Sequence, residues 1–275
     1  VFMDTGWEHE KTYEYIRGPL TRAIGHITEI KGAFDFASLA RKRGMFPSRV
    51  KRFCTEELKI KPMQAYIARR VDAGEEVLNC VGIRRAESNA RSRMAEWEWA
   101  DGFDCEVWRP LVDWQSTDVA AIHDRHGLVM NPLYAMGASR VGCWPCIHAR
   151  KSEIALVAAT DPQRIVQIGS LERELTAQAR KLAGDEPLKY NRTMFNYHGG
   201  NNKHIQMWMD ETVRWAKSKR GEFQPAGANA GCMKWGICET EDPDVDTAYN
   251  ISVADDDSEF EERRAEKVSG DKGVK

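Results

Sequence analysis

No stretch of this 275-residue chain approaches the run of about 18 apolar residues that a membrane-spanning helix needs, so no membrane partner is expected. A basic segment leading into a short apolar one is also missing at the N-terminus, which begins at Val1 rather than Met. A cytoplasmic protein seen from an internal start is the expectation. No segment repeats at a fixed period, which excludes solenoids and propellers. An even set of cysteines is lacking too. Seven of them without a secretion signal argue against a disulfide framework and for metal binding or thiol chemistry.

A large net charge is absent, at −2, but the balance hides an uneven distribution. Residues 239–275 carry a net −8 and residues 1–238 a net +6. A basic body can attract nucleotide phosphates or nucleic acid, with the acidic tail competing for the same surface; a solvated surface with a disordered tail is the plainer alternative. Three regions are expected: an α/β domain over 1–155, a helical region over 156–238 and an acidic, disordered tail over 239–275.

What is present reads as strands alternating with helices, the pattern of a parallel sheet with crossover helices. Val1 to Gly6 reads as a short buried strand ending in a turn, followed by a helix carrying Tyr13 and Ile16 and stopped by Gly18-Pro19. Arg41 to Arg52 holds six basic residues and no acidic one, and is expected to be a basic loop. The apolar run Val77–Ile83 suits a strand covered on both faces, with Arg84 and Arg85 emerging at its C-terminal end, where open α/β sheets place their ligand crevice. Trp108 to Leu111 marks another strand end, and Thr117–His126 a helix. Asp161-Pro162 caps a helix whose apolar stripe runs through Ile165, Ile168, Leu171, Leu175 and Leu182 to Gly184, and a further helix is expected from Asn202 to Lys217.

Cys143-x-x-Cys146 and Cys232-x5-Cys238 form two close-spaced pairs, the arrangement that holds tetrahedral zinc or a cubane iron–sulfur cluster. Gly142 and Gly231 precede each pair, as if to let the backbone turn its amides toward the sulfurs. Free thiols are the alternative. Cys80 and Cys105 are read as structural, and His148 as a group that supports the metal ligands or substitutes for one.

Four segments carry a family resemblance. They are Asp4-Thr5-Gly6-Trp7-Glu8-His9, Phe53-Cys54-Thr55 through Lys59 to Pro62, Gly82-Ile83-Arg84-Arg85-Ala86-Glu87-Ser88, and Asn131-Pro132-Leu133-Tyr134 through Gly142-Cys143. In this order they resemble the phosphoadenosine phosphosulfate (PAPS) reductase family of adenine nucleotide α-hydrolase-like proteins, in a phage- or prophage-type form. The resemblance implies an α/β fold with a parallel sheet flanked by helices and an adenine nucleotide, ATP or PAPS, bound for sulfur chemistry. It implies phosphate contacts from Arg84, Arg85 and Lys59, with Glu87 and Ser88 orienting the arginines or touching the ribose. Asp4, Thr5, Gly6 and Gly82 would line the nucleotide site, Asp4 either through Mg²⁺ or as a helix cap; local pairing of the arginines with Glu87 and Glu96 is the alternative.

Related iron–sulfur reductases and phosphorothioation enzymes favour a 4Fe–4S cluster over Zn²⁺ on Cys143, Cys146, Cys232 and Cys238. Cys54 is then a cluster ligand, a persulfide-carrying nucleophile or a small wall residue. No Ser-Gly-Gly-x-Asp-Ser phosphate loop and no Glu-Cys-Gly-Leu-His-type tail occurs in the sequence, so either the protein extends upstream or ATP is not bound in the usual way. ATP-dependent adenylation and sulfur transfer therefore rank above PAPS reduction. A non-catalytic zinc-stabilised scaffold stands as the alternative from another class. A nucleic acid substrate, a sulfur donor protein and a second copy of the chain are the expected partners.

Overall fold

The computed structural model describes residues 1–199 and 203–218. Strand β1 (Phe2–Asp4) pairs in parallel with β2 (Glu29–Lys31), Met3 opposite Ile30. Between them run α1 (Glu10–Tyr15), a π-helical turn Ile16–Leu20 and α2 (Thr21–Ile24). The expected stop at Gly18-Pro19 is thus corrected: Pro19 sits inside the π turn, and the helix continues to Gly25 at φ 87°. Pro19 has no N–H for the carbonyl four residues back, and the wider register goes around it, Thr21 donating to Ile16 five residues back.

Helix α3 (Phe36–Arg43) starts at Asp35, whose carboxylate accepts from Ser38 N at 2.7 Å, and ends at Gly44 in the left-handed region at φ 64°. Arg41, Lys42 and Arg43 therefore close a helix, and only the second half of the basic run is loop. After it come α4 (Phe53–Thr55), a second π-helical turn Glu56–Ile60 and α5 (Lys61–Asp72).

Strands β3 (Leu78–Cys80), β4 (Trp97–Ala100) and β5 (Cys105–Trp108) form a sheet in the order β3-β5-β4, with β3 parallel and β4 antiparallel to β5. One face buries Cys105 and Val107. The other carries the rows Cys80–Trp108–Trp97 and Leu78–Glu106–Trp99, and Leu78 is 45% exposed and Trp99 59%. The expectation that Val77–Ile83 is covered on both faces is corrected accordingly. Regular strand spans only Leu78–Cys80 at the sheet edge, and Cys80 is exposed where Cys105 is buried.

The rest is mainly helical: α6 (Ser116–Arg125), α7 (Pro132–Ala135), α8 (Lys151–Thr160), α9 (Pro162–Ala183) and α10 (Met209–Ala216), with the hairpin β6 (Asn196–Gly199) and β7 (Lys203–Gln206) before α10. Asp161 caps α9 as expected, and Ile168, Leu171 and Leu175 are buried, but Leu182 is 66% exposed because the stripe runs out before the helix does. The helix expected over Asn202–Lys217 is shorter, since its first part pairs as β7. Glu172 fixes the new start. Its buried carboxylate accepts from Met209 N at 2.8 Å and Met194 N at 3.0 Å.

One core cluster joins Trp7, Phe36, Leu39 and Leu58 to Ile154, Ile168, Leu175 and Met209, with Cys54, Cys143 and Cys146 packed at its margin. Cys232, Cys238, Gly231 and the acidic tail lie outside the described residues.

Candidate functional site

The turn after β1 is a closed network of buried polar groups. Asp4 is 2% exposed, and its Oδ1 accepts from Gly6 N at 2.8 Å and from the Tyr13 hydroxyl at 2.7 Å, while Lys31 Nζ stands 2.9 Å from Oδ2. Burial pushes the Asp4 carboxyl up, but the Lys31 and Tyr13 hydrogen bonds outweigh it and hold the group below its usual range. Glu8, also buried, accepts from Thr5 Oγ1 at 2.6 Å and from the Thr5 and Trp7 amides at 3.2 Å each. Tyr13 reaches Glu8 as well, at 3.0 Å, so one phenol bridges both carboxylates and its own ionisation is strongly suppressed by burial and these neighbours.

Gly6 is required here, because its φ is +66° and a Cβ would stand 2.6 Å from Asp35 Cβ. Three protein donors hold Asp4 in the turn, and it does not line the cleft beside it. Nor does it cap the next helix; His9 does, accepting from Lys11 N.

Beside this turn opens a cleft of about 510 Å³. Phe2 and Met3 come from β1, Glu8 from the first motif, Lys59 from the second, and Asn131, Tyr134, Val141 and Gly142 from the fourth. Tyr15, Ile16, Val119, His123 and Met130 complete an apolar and aromatic wall with a few polar groups, the composition usual for small-ligand sites. Both π-helical turns deliver residues to it, Ile16 from one and Lys59 from the other, in keeping with the tendency of such turns to sit at functional sites. Gly142 has no left-handed φ and open space where a Cβ would go, so the backbone freedom expected of it is not used.

The third motif stands at the rim. Arg84 donates to Ser116 Oγ at 2.8 Å and lies 3.5 Å from Glu87, and its charge acts on the Tyr134 phenol, whose ionisation burial otherwise disfavours. Arg85 is turned away: Nε and Nη2 donate to the Met94 carbonyl at 3.1 and 2.9 Å, and Nη1 pairs with Asp113. The alternative partner Glu96 instead accepts from Trp108 Nε1. Glu87 also pairs with Arg91, Ser88 accepts from Arg91 N at 3.3 Å, and Gly82 is an exposed position 3.9 Å from Leu111. Thus Lys59 lines the cleft and Arg84 acts on it only through Tyr134, while Arg85, Ser88 and Gly82 do not line it.

The Cys143 turn is stitched to the β1 turn. Trp144 N donates to Trp7 O at 2.7 Å, Glu8 and Cys143 form an antiparallel bridge, and Cys143 Sγ lies 3.6 Å from Thr5 Oγ1. Burial pushes the Cys143 thiol up to about 11, with Lys59 and the Thr5 hydrogen bond opposing and Glu8 adding to the rise. Cys54 is likewise raised by burial and by Cys146, against Thr55, Lys59 and Arg52. His148 Nε2 is buried without a hydrogen-bond partner among the described residues, and burial with Arg52, Arg49 and Arg140 lowers its pKa to about 4.

No three His, Cys, Asp or Glu side chains among the described residues are grouped to hold a metal. Cys143 and Cys146, two soft sulfurs on one turn with Cys54 beside them, fit one half of a four-thiolate site. Glu8, Tyr13 and Tyr134 were not singled out in sequence as site residues. Tyr13 reads in sequence as part of a helix face, and its reach to Asp4 and Glu8 follows from the turn that precedes the helix.

The chain thus combines α/β elements, a strand-end turn stitched to a cysteine turn, and a cleft that carries Lys59. A model of the phosphoadenosine phosphosulfate reductase domain matches residues 1–149, and the chain belongs to that family. An uncharacterized 37.8 kDa protein from the gpa 5′ region of Escherichia phage 186 is 33% identical over 230 residues, 66% of this chain and 69% of its own length. The adenosine 5′-phosphosulfate reductase of Allochromatium vinosum is 28% identical over 152 residues, 54% of this chain and 57% of that enzyme. The crystal structure of a PAPS reductase from Candida auris in a phosphate complex aligns with a TM-score of 0.37 and 22% identity over 52% of this chain and 68% of its own. No described helix is long and apolar enough to cross a membrane.

Proposed function

We propose that the cleft binds an adenine nucleotide and that the chain uses it for sulfur chemistry, by ATP-dependent adenylation of an acceptor followed by sulfur transfer, as in thiolation or phosphorothioation. The convergence of three motif segments on one cleft, lined up to Gly142 beside Cys143, is the observation that supports this most. An acceptor oxygen would attack the α-phosphorus, pyrophosphate would leave, and a sulfur nucleophile would then displace AMP. Lys59 and Arg84 would neutralise the phosphoryl oxygens as charge develops on them. Glu8, Tyr13 and Thr5 hold the turn in place.

Cys143, Cys146, Cys232 and Cys238 would hold a 4Fe–4S cluster, which supplies a site for binding and handing over sulfur; Zn²⁺ on the same thiolates would serve structure alone. Cys54, next to Cys146, would be the protein nucleophile on the sulfur side. Reduction of an adenylylated sulfate is the second reading, favoured by the reductase names among the relatives. ATP–pyrophosphate exchange separates the two. Exchange above background supports adenylation, whereas no exchange together with sulfite release from PAPS overturns it in favour of reduction.

A further inference from the structure

The sheet β3-β5-β4 leaves one face open. On it Trp97 stacks on Trp108, with ring centroids 5.2 Å apart and planes at 14°, and Glu96 fixes the pair by accepting from Trp108 Nε1 at 3.1 Å. Trp97 is 50% exposed all the same, and the still more exposed Trp99 stands beside it on the same face. Leu78 and the exposed Cys80 extend this surface across β3. None of these residues lines the cleft.

Large apolar side chains grouped on an open face mark an interaction surface, and the groups around them fix the charge of what docks there. From Glu96 to Glu106 the chain carries five acidic residues, Glu96, Glu98, Asp101, Asp104 and Glu106, and no basic one. Glu98 points to the opposite face, where Arg109 pairs with it. Glu106 stands on the open face between Leu78 and Trp99, and no described cation pairs with it. At the turn of the same hairpin, Asp101 and Asp104 join Asp72 of α5 around a recess of about 320 Å³. Gln64 of α5 ties the turn there by donating to Gly102 O at 2.7 Å.

Indole faces attract cations, the planar guanidinium stacks on them, and a carboxylate takes the same group bidentately. Phosphate chains and anionic lipid surfaces are repelled by these carboxylates. A second copy docking two-fold through this face would bring the acidic surface against itself. We infer that the Trp97, Trp99 and Trp108 face, with Glu106 and the aspartates of the hairpin turn, is a docking surface for an arginine-rich segment of a partner protein. Its guanidinium groups lie on the indoles and pair with Glu106, and the recess beside Asp101 and Asp104 takes a further one. The surface is independent of the nucleotide cleft and of the chemistry proposed there.

The test is fluorescence anisotropy of the full chain with fluorescein-labelled octa-arginine across salt concentrations, with octa-glutamate as the control of opposite sign. Trp97→Ala/Trp99→Ala removes two exposed rings and no core residue, and is expected to stay folded by circular dichroism and to bind octa-arginine at least about tenfold more weakly. Glu106→Gln, which keeps the shape, is expected to bind more weakly than the parent at low salt and to approach it at high salt, where the charge is screened. Asp255→Asn/Asp256→Asn/Asp257→Asn, which removes charge elsewhere in the chain, is expected to bind like the parent.

Octa-arginine left unbound at low salt overturns the inference, as does parent-like affinity in Trp97→Ala/Trp99→Ala or in Glu106→Gln. Octa-glutamate bound as tightly overturns it too, and so does an equal loss in the triple aspartate variant, which moves the site to residues 255–257. Sedimentation velocity tests the remaining occupant. A dimer of the parent that Trp97→Ala/Trp99→Ala breaks overturns the inference in favour of a second copy, whereas parent and variant sedimenting alike support it.

Discussion

Thr5 Oγ1 and Cys143 Sγ lie 3.6 Å apart across 138 residues of sequence, and the hydroxyl proton of Thr5 is already committed to Glu8 at 2.6 Å. The same hydroxyl thus touches both a buried carboxylate and the thiol. The turn after β1 and the Cys143 turn are joined through Thr5, a side chain expected to line the nucleotide site.

Replacing Thr5 by Val keeps the shape and removes both contacts, leaving Glu8 Oε1 and the thiol without this partner. A loss of about 1–3 kcal/mol in unfolding free energy is expected from urea denaturation, the cost of stranding buried polar groups. Thr5→Ser, which keeps the hydroxyl, should recover most of it.

Gly6→Ala tests the turn itself. The added methyl meets Asp35 Cβ at 2.6 Å with φ at +66°, and Asp35 caps α3, so both elements must shift. A destabilisation of about 2 kcal/mol or more is expected by thermal unfolding, whereas Gly142→Ala, with open space at its Cβ, should unfold within about 0.5 kcal/mol of the parent.

Glu172 sets a pH dependence whose sign can be worked out. Burial raises its pKa to about 7, against the two amides that favour the carboxylate. The folded state then holds a proton that the unfolded state releases between pH 4.5 and 7, so stability falls as pH rises through that window and levels off above it. The change is of order 3 kcal/mol. In Glu172→Gln the slope should vanish, and because one of two amides loses its acceptor, stability at pH 5 should drop by about 1–3 kcal/mol. Chemical denaturation across pH 4.5–8 reads both.

Much of the architecture was legible from local signals, because Asp161-Pro162, Gly6 and Gly44 each impose a backbone state that few alternatives satisfy. What escaped was set by partners far away in sequence. The start of α10 depends on Glu172 and the exposure of Leu78 on the sheet edge it occupies, whereas the helical half of the basic run follows from the nearby Asp35 cap. Pro19 misled because a π turn can go around its missing donor. At the site, the motif order pointed to Lys59 and Arg84, but whether Arg85 faces a ligand or the Met94 carbonyl depends on a loop whose path no periodicity encodes.

The central claim is that the cleft holding Lys59, with Arg84 at its rim, is an adenine nucleotide site. Isothermal titration of ATP and of PAPS into the parent, Lys59→Ala, Arg84→Ala and Arg85→Ala reads it most directly. Losing one charge-assisted hydrogen bond costs about 1.5–3 kcal/mol, so Lys59→Ala and Arg84→Ala should each bind about 10- to 100-fold more weakly, with Arg85→Ala near the parent. Parent-like affinity in both Lys59→Ala and Arg84→Ala would contradict the account.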